Sequence, residues 1–223
     1  VGLAILRTPE APERAAVGIV YGDSLHHRHR DLLDVQLYAF ERPFLTDLGY
    51  PQSWASIGPW EAHWATHNTV WGTLDPDAPR DAGRGRLIRM LEADGVQILD
   101  VAGERWGVVE DRWRPLGVRY RRLVALVETD GDGVAVVDLA RITGGLEHWR
   151  TCRGLEGEFL PSTPLNEQGG TVAHPDSGRG DMSRLSHPDY AAMAYLDDVA
   201  TAPDAAAFGG SWQSRAEPGV SMD

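Results

Sequence analysis

Along this chain, apolar residues recur at every second position over short stretches, and turn-forming residues separate the stretches. Residues 33–39 show it most cleanly: Leu33, Val35, Leu37 and Ala39 fall on one side, Asp34, Gln36 and Tyr38 on the other. A period of two sends successive side chains to opposite faces, so this segment predicts a half-buried strand. Residues 2–7 and 15–21 predict two earlier strands around a Pro- and Glu-rich turn. Arg42-Pro43 is expected to end the 33–39 strand and Phe44-Leu45 to begin another. Further strands are predicted at 67–73, 86–92, 95–101, 117–128 and 133–140, with Asp94-Gly95 and Asp130-Gly131-Asp132-Gly133 as hairpin turns.

Two stretches break the pattern. Residues 50–66 are rich in Trp, Pro, Ser and Gly without periodicity, which predicts a long loop with a binding role or mobility. Residues 160–187 are polar and Gly/Pro-rich and predict a second excursion, while 188–200 fit a short helix or a strand equally well. There is no internal repeat and no heptad. The sum is an all-β protein, an antiparallel β-sandwich, with residues 1–223 taken as one domain.

Composition agrees: 25 glycines and 14 prolines are spread along the 223 residues, as many short strands joined by turns require. The net charge of −12, with Arg as the only basic residue besides His, argues against nucleic acid or an anionic membrane as partner. An acidic sugar polymer would also be repelled at long range, so a site for it needs concentrated positive charge, and His26-His27-Arg28-His29-Arg30 is one such concentration. The single cysteine, Cys152, excludes an internal disulfide. No stretch approaches the ~20 apolar residues of a membrane span. The chain opens on Val in strand-like sequence and closes on Pro218-Gly219-Val220-Ser221-Met222-Asp223 without a capping element; the expectation is a piece truncated at both ends, with any signal peptide upstream.

The sharpest chemical signal is His27-x-His29-x-Asp31 ahead of the 33–39 strand. In an extended chain, residues i and i+2 share a side, so both imidazoles can face one cavity. Imidazole suits Zn²⁺ and a carboxylate often completes such a set, although two histidines among arginines also fit a solvated basic loop. Asp47 and His67 stand at the ends of neighbouring strand segments, and with His29 their types fit a two-histidine, one-carboxylate site. Asp47 alone reads first as a turn former and gains interest only because a metal site needs a third ligand, and His63 competes with His67. His148, His174 and His187 belong to no pattern. Trp54, Trp60 and Trp64 fit either stacking on sugar rings or a small core of the loop itself. There is no HExxH, phosphate-binding loop, GxSxG or cysteine ligand set.

Several blocks, in order, carry a resemblance: Gly22 through Tyr50 with Arg42-Pro43-Phe44-Leu45-x-Asp47-x-Gly49-Tyr50; His67-Asn68-Thr69-Val70; Tyr120-Arg121-Arg122-Leu123 through Val137-Asp138-Leu139-x-Arg141-x-x-Gly144-Gly145 and Glu147-His148; and, more weakly, Gly210-Ser211-Trp212. As a set they resemble the heparinase II/III-like polysaccharide lyases. The resemblance implies the super-sandwich part of a two-part enzyme, whose N-terminal helical toroid would close the active site. It implies that His27 faces the cleft as a catalytic histidine and that His29, Asp47 and His67 bind a largely structural Zn²⁺. The implied reaction is β-elimination at a uronic acid of a glycosaminoglycan, alginate or related acidic polysaccharide, in a periplasmic or extracellular setting.

The toroid and its catalytic tyrosine are not in these residues, and Tyr38, Tyr50 and Tyr120 belong to the sandwich motifs, so the chain alone is expected to be inactive. Two other readings stand beside this one. A metal-dependent cupin would recruit His27, His29, Asp34 and His67, so an Asp34 ligand favours the cupin and an Asp47 ligand the lyase. A non-catalytic carbohydrate-binding sandwich module would hold no metal. A dinuclear β-lactamase-like hydrolase wants a His directly after the Asp, where this chain has Leu32.

Overall fold

A computed structural model describes the chain except for residues 1, 9–14, 24–28, 48, 50–59, 61, 80, 130–132, 155–156, 168–188, 191, 194–195, 197–199, 203–208, 216–220 and 223. The described residues hold no α-helix, and their strands pair antiparallel. The sequence reading takes 1–223 as one domain; the chain divides into two compact units, Val1–Arg153 and Gly154–Asp223.

The first unit is built on two four-stranded sheets. One contains β1 (Leu3–Arg7), β2 (Ala15–Val20), β3 (Val35–Ala39) and β4 (Arg42–Leu45), paired in that order. In β2, Ala15, Val17 and Ile19 are buried and alternate with less buried neighbours, which pins the register, since a slip of one residue would expose all three. The β3 strand starts two residues later than its alternation predicts. Leu33 has φ 61° and its N–H bonds Val20 O, so it closes a turn before the strand while staying fully buried.

The Arg42-Pro43 pair does not end a strand; it opens β4. The reversal is made by Phe40-Glu41, with φ of 50° and 63°, the mirror-type turn whose twist suits a two-residue hairpin. Pro43 sits opposite Tyr38 on the edge strand of the sheet, where its missing N–H costs no ladder bond.

The second sheet holds β6 (Asp81–Ala93), β7 (Val96–Val109), β8 (Arg112–Glu128) and β9 (Val134–Thr143), in that order. Its hairpins turn at Asp94-Gly95, as predicted, and at Glu110-Asp111, where both φ are positive. These strands far outrun the predicted segments because two devices hide their pattern. Arg105, 1% exposed, occupies an inward position, and Pro115 pairs with Trp106 beside a break in register. A bulge is where a strand tolerates proline.

The sheets meet through Leu6, Val17, Ile19 and Val35 on one side and Leu99, Val101, Val124 and Leu126 on the other, all buried. Leu32 presses onto a glycine patch of the second sheet: a Cβ at Gly83 or Gly103 would lie 2.9 Å from its side chain. Gln97 of β7 ties the second sheet to β1 by bonding both the N–H and the carbonyl of Arg7. A small pair, β5 (Val70–Gly72) and β10 (His148–Arg150), stacks Trp71 on Trp149 with centroids 5.5 Å apart.

The second unit contains β11 (Gly157–Pro161), β12 (Asn166–Glu167), β13 (Ala200–Thr201), β14 (Gly210–Ser214) and β15 (Ser221–Met222), paired as β11-β14-β15 and β12-β13. The start of the predicted 160–187 excursion is therefore strand, and the rest, from 168, lies outside the described residues. Of 188–200, Asp189-Tyr190 form a turn and Ala192-Met193 a single helical turn, with β13 beginning at Ala200.

Candidate metal centre

Three chain segments converge at one corner of the first unit. Asp47 follows the end of β4. His67 follows a 3-10 turn, Trp64–Thr66, whose last N–H bond is made by His67 itself to Trp64 O. His29 precedes Arg30, whose N–H bonds Ala62 O and so ties that stretch to the turn carrying His67. His63, the competitor for the same role, is committed elsewhere: it caps the turn, its Nδ1 accepting from Ala65 N–H at 3.1 Å.

One ligand atom from each of His29, Asp47 and His67 lies within 4.8 Å of the others. The two imidazole centroids are 5.4 Å apart and their planes are tilted by 49°. His67 is fully buried, and its Nδ1 lies 2.7 Å from Asp47 Oδ2. Burial disfavours the Asp47 charge, but the hydrogen bond from His67 and the N–H of Gly49 on Oδ1 outweigh it, holding Asp47 below the usual carboxylate range. An ionised carboxylate can only accept, so Nδ1 of His67 is the donor. In the neutral ring the lone pair is then on Nε2, which is buried and has no hydrogen-bond partner among the described residues. Leaving such an acceptor unmatched costs about 1–3 kcal/mol. A cation beside it would remove that cost, so the donor set and the orphaned nitrogen both fit a borderline metal such as zinc.

The other acids near this corner are used differently. Asp34 Oδ1 accepts from Asn68 N–H at 2.6 Å and Oδ2 from the Gln36 amide at 3.1 Å. Asp34 thus braces the backbone next to His67, and burial pushes its carboxyl up from the ordinary value. Burial likewise raises Asp31, against the pull of His67 and His29. It is Asp47, not Asp34, that stands with the two histidines.

Sequence reasoning missed the support around the site. Asn68, 1% exposed, donates from its amide to Thr46 O, the residue before Asp47, and accepts Arg153 N–H on its Oδ1. The Thr151 hydroxyl lies 2.6 Å from His67 O. Arg122, on β8, sends Nη1 to the carbonyls of Leu33 and Asn68 at 2.6 and 2.8 Å. Its Nε and Nη2 clamp both oxygens of Asp138 on β9. The only signal was that Asn68, Arg122 and Asp138 sit in the blocks quoted above.

His27 and Trp54 lie outside the described residues. Trp60 is partly exposed, whereas Trp64 is 1% exposed and packed against the guanidinium groups of Arg105 and Arg30, at 5.5 and 6.0 Å from its ring centre. Of the two readings of Trp64, the core position is the one the structure shows. His148 is exposed and its Nε2 lies 2.8 Å from Gly144 O.

An antiparallel all-β unit with an inward His/Asp/His corner defines a sandwich domain with a candidate metal centre. The family described as Heparinase II/III-like, C-terminal matches residues 15–154, and the chain belongs to it. That span contains the whole His29/Asp47/His67 corner and its supports; Gly210-Ser211-Trp212 lies beyond it. No curated protein and no solved structure matches the chain.

Proposed function

We propose that this chain is the sandwich part of a polysaccharide lyase that cleaves a uronic-acid-containing polymer by β-elimination, and that its His29/Asp47/His67 corner is a zinc site. The observation that supports it most is the buried, unmatched Nε2 of His67 beside His29 and Asp47. His29, Asp47 and His67 would hold the ion. When bound, it supplies positive charge and a link between three chain segments.

In β-elimination a base removes the proton next to the carboxylate, and the leaving glycosidic oxygen is protonated. Negative charge builds on the substrate carboxyl, so positioned donors must neutralise it. His27 is assigned this cleft role, on the resemblance and on its two-residue spacing from His29. Positioned acid–base groups of this kind contribute about 10²–10⁴-fold. Trp54 and Trp60 are assigned to sugar contact. The helical toroid of the same protein would supply the catalytic tyrosine, so this chain alone turns over little substrate.

Metal analysis and assay test the reading together. Purified chain should carry about one zinc, lost in His29→Ala and Asp47→Ala. Zinc absent from the wild type would remove the metal site, and turnover by the isolated chain at the rate of a complete lyase would overturn its dependence on a toroid.

A further inference from the structure

The outer face of the second sheet carries a concentration of positive charge that the metal corner does not use. Alternation along β8 sends Arg122 into the sandwich and its neighbours Arg119 and Arg121 outward. Pairing between strands then lines them up: Arg121 stands opposite Arg141 on β9 and Arg119 opposite Thr143. On the other side of β7, Arg86 of β6 faces Ala102, which faces Arg121. An open groove of roughly 310 Å³ runs between Arg119, Arg121, Arg141 and Thr143.

Like charges directly opposite one another destabilise a sheet, and this chain, at −12, has acids to spare for neutralising them. Of the described residues, only two acids stand on this patch, and neither pairs with Arg119 or Arg141. Asp100 serves Arg121 and Arg89. Glu104, across from Arg119, has its carboxylate bonded by Trp106 Nε1 at 3.0 Å. Among the described residues, Arg119 and Arg141 have no acidic partner. Directly alongside runs an apolar row, with Leu123 opposite Leu139 and Leu139 61% exposed.

We propose that this groove binds an acidic polysaccharide, its carboxylate or sulfate groups on Arg119 and Arg141 and the flat apolar face of a sugar ring on Leu123 and Leu139. The choice of polymer class rests on the lyase reading; the groove itself does not. Guanidinium forks take planar or tetrahedral oxyanions through paired hydrogen bonds. The adjoining leucines suit a ligand that alternates charge with apolar surface, which inorganic anions do not offer. The groove lies on the face of the sheet opposite Arg122 and acts as an anchoring site for the polymer, separate from the histidine corner.

The test titrates the full chain with fluorescently labelled alginate and heparin oligosaccharides, with dextran as uncharged control and polyglutamate as a polyanion without sugar. The wild type should bind the acidic sugars, more weakly as salt rises, and dextran not at all. Arg119→Ala/Arg141→Ala and, separately, Arg141→Glu should weaken binding about tenfold or more, with an unchanged circular dichroism spectrum and unchanged zinc content. Leu139→Ser should weaken sugar binding and leave any polyglutamate binding alone. Unaltered affinity in both arginine variants overturns the proposal, as does equal affinity for polyglutamate. A zinc-free wild type that still binds through the arginines removes the metal reading and leaves the groove standing.

Discussion

Two buried polar nodes lie close together in the first unit and differ in one respect. At Arg122, four donated hydrogen bonds go to Asp138, Leu33 O and Asn68 O, and the side chain is almost fully buried. At His67, one ring nitrogen is bonded to Asp47 and the other, equally buried, has no partner among the described residues. Buried polar groups are matched in native proteins, and an exception calls for a cause. A satisfied node such as Arg122 is a structural brace. An unsatisfied one beside a second histidine and a carboxylate is the feature on which the zinc proposal rests.

The comparison breaks most sharply at Arg122. Arg122→Ala leaves the Asp138 carboxylate and two carbonyls without their buried partner, and should lower unfolding stability by about 3–5 kcal/mol in urea melts. A loss under 1 kcal/mol would mean that the brace is not one. Chelation probes the other node. Removing zinc with a strong chelator should lower the melting temperature, the lost stabilisation being about 2.7 kcal/mol when free metal had stood at a hundred times its dissociation constant. An unchanged melt would leave His67 Nε2 with no ligand to explain it.

Asp47→Asn sharpens the contrast further. It keeps the shape but removes the charge facing His67, and should weaken zinc binding about 10–100-fold, read by competition with a chromogenic chelator. The smallest effect is expected at Arg150. Its guanidinium reaches Asp138 Oδ2 at 2.7 Å, but its side chain is 53% exposed, so Arg150→Ala should cost about 1 kcal/mol or less. A cost as large as that of Arg122→Ala would erase the distinction between a buried brace and a surface pair.

Much of the fold could be read from alternation. β1, β2 and most of β3 follow it, and Asp94-Gly95 turns where its positive φ is needed. The long β6–β8 strands could not be read in full, because Arg105 is hydrophobic neither in name nor in the pattern, yet it is buried through Asp81 Oδ2 and Gly72 O. Arg42-Pro43 misled for a related reason: proline reads as a stop, and only its place on an edge strand makes it harmless.

The sequence by itself determined that the chain is an antiparallel β protein, which family it resembles, and which residue types could meet. Those follow from local period and composition, and one dimension carries them. Which acid joins His29 and His67, which histidine caps a turn instead, and which Trp is core were decided by the tertiary structure alone. Asp34 and Asp47 are alike as residues. They part because Asn68 N–H and Gln36 take up Asp34, while the end of β4 delivers Asp47 to Nδ1 of His67, twenty residues further along the chain.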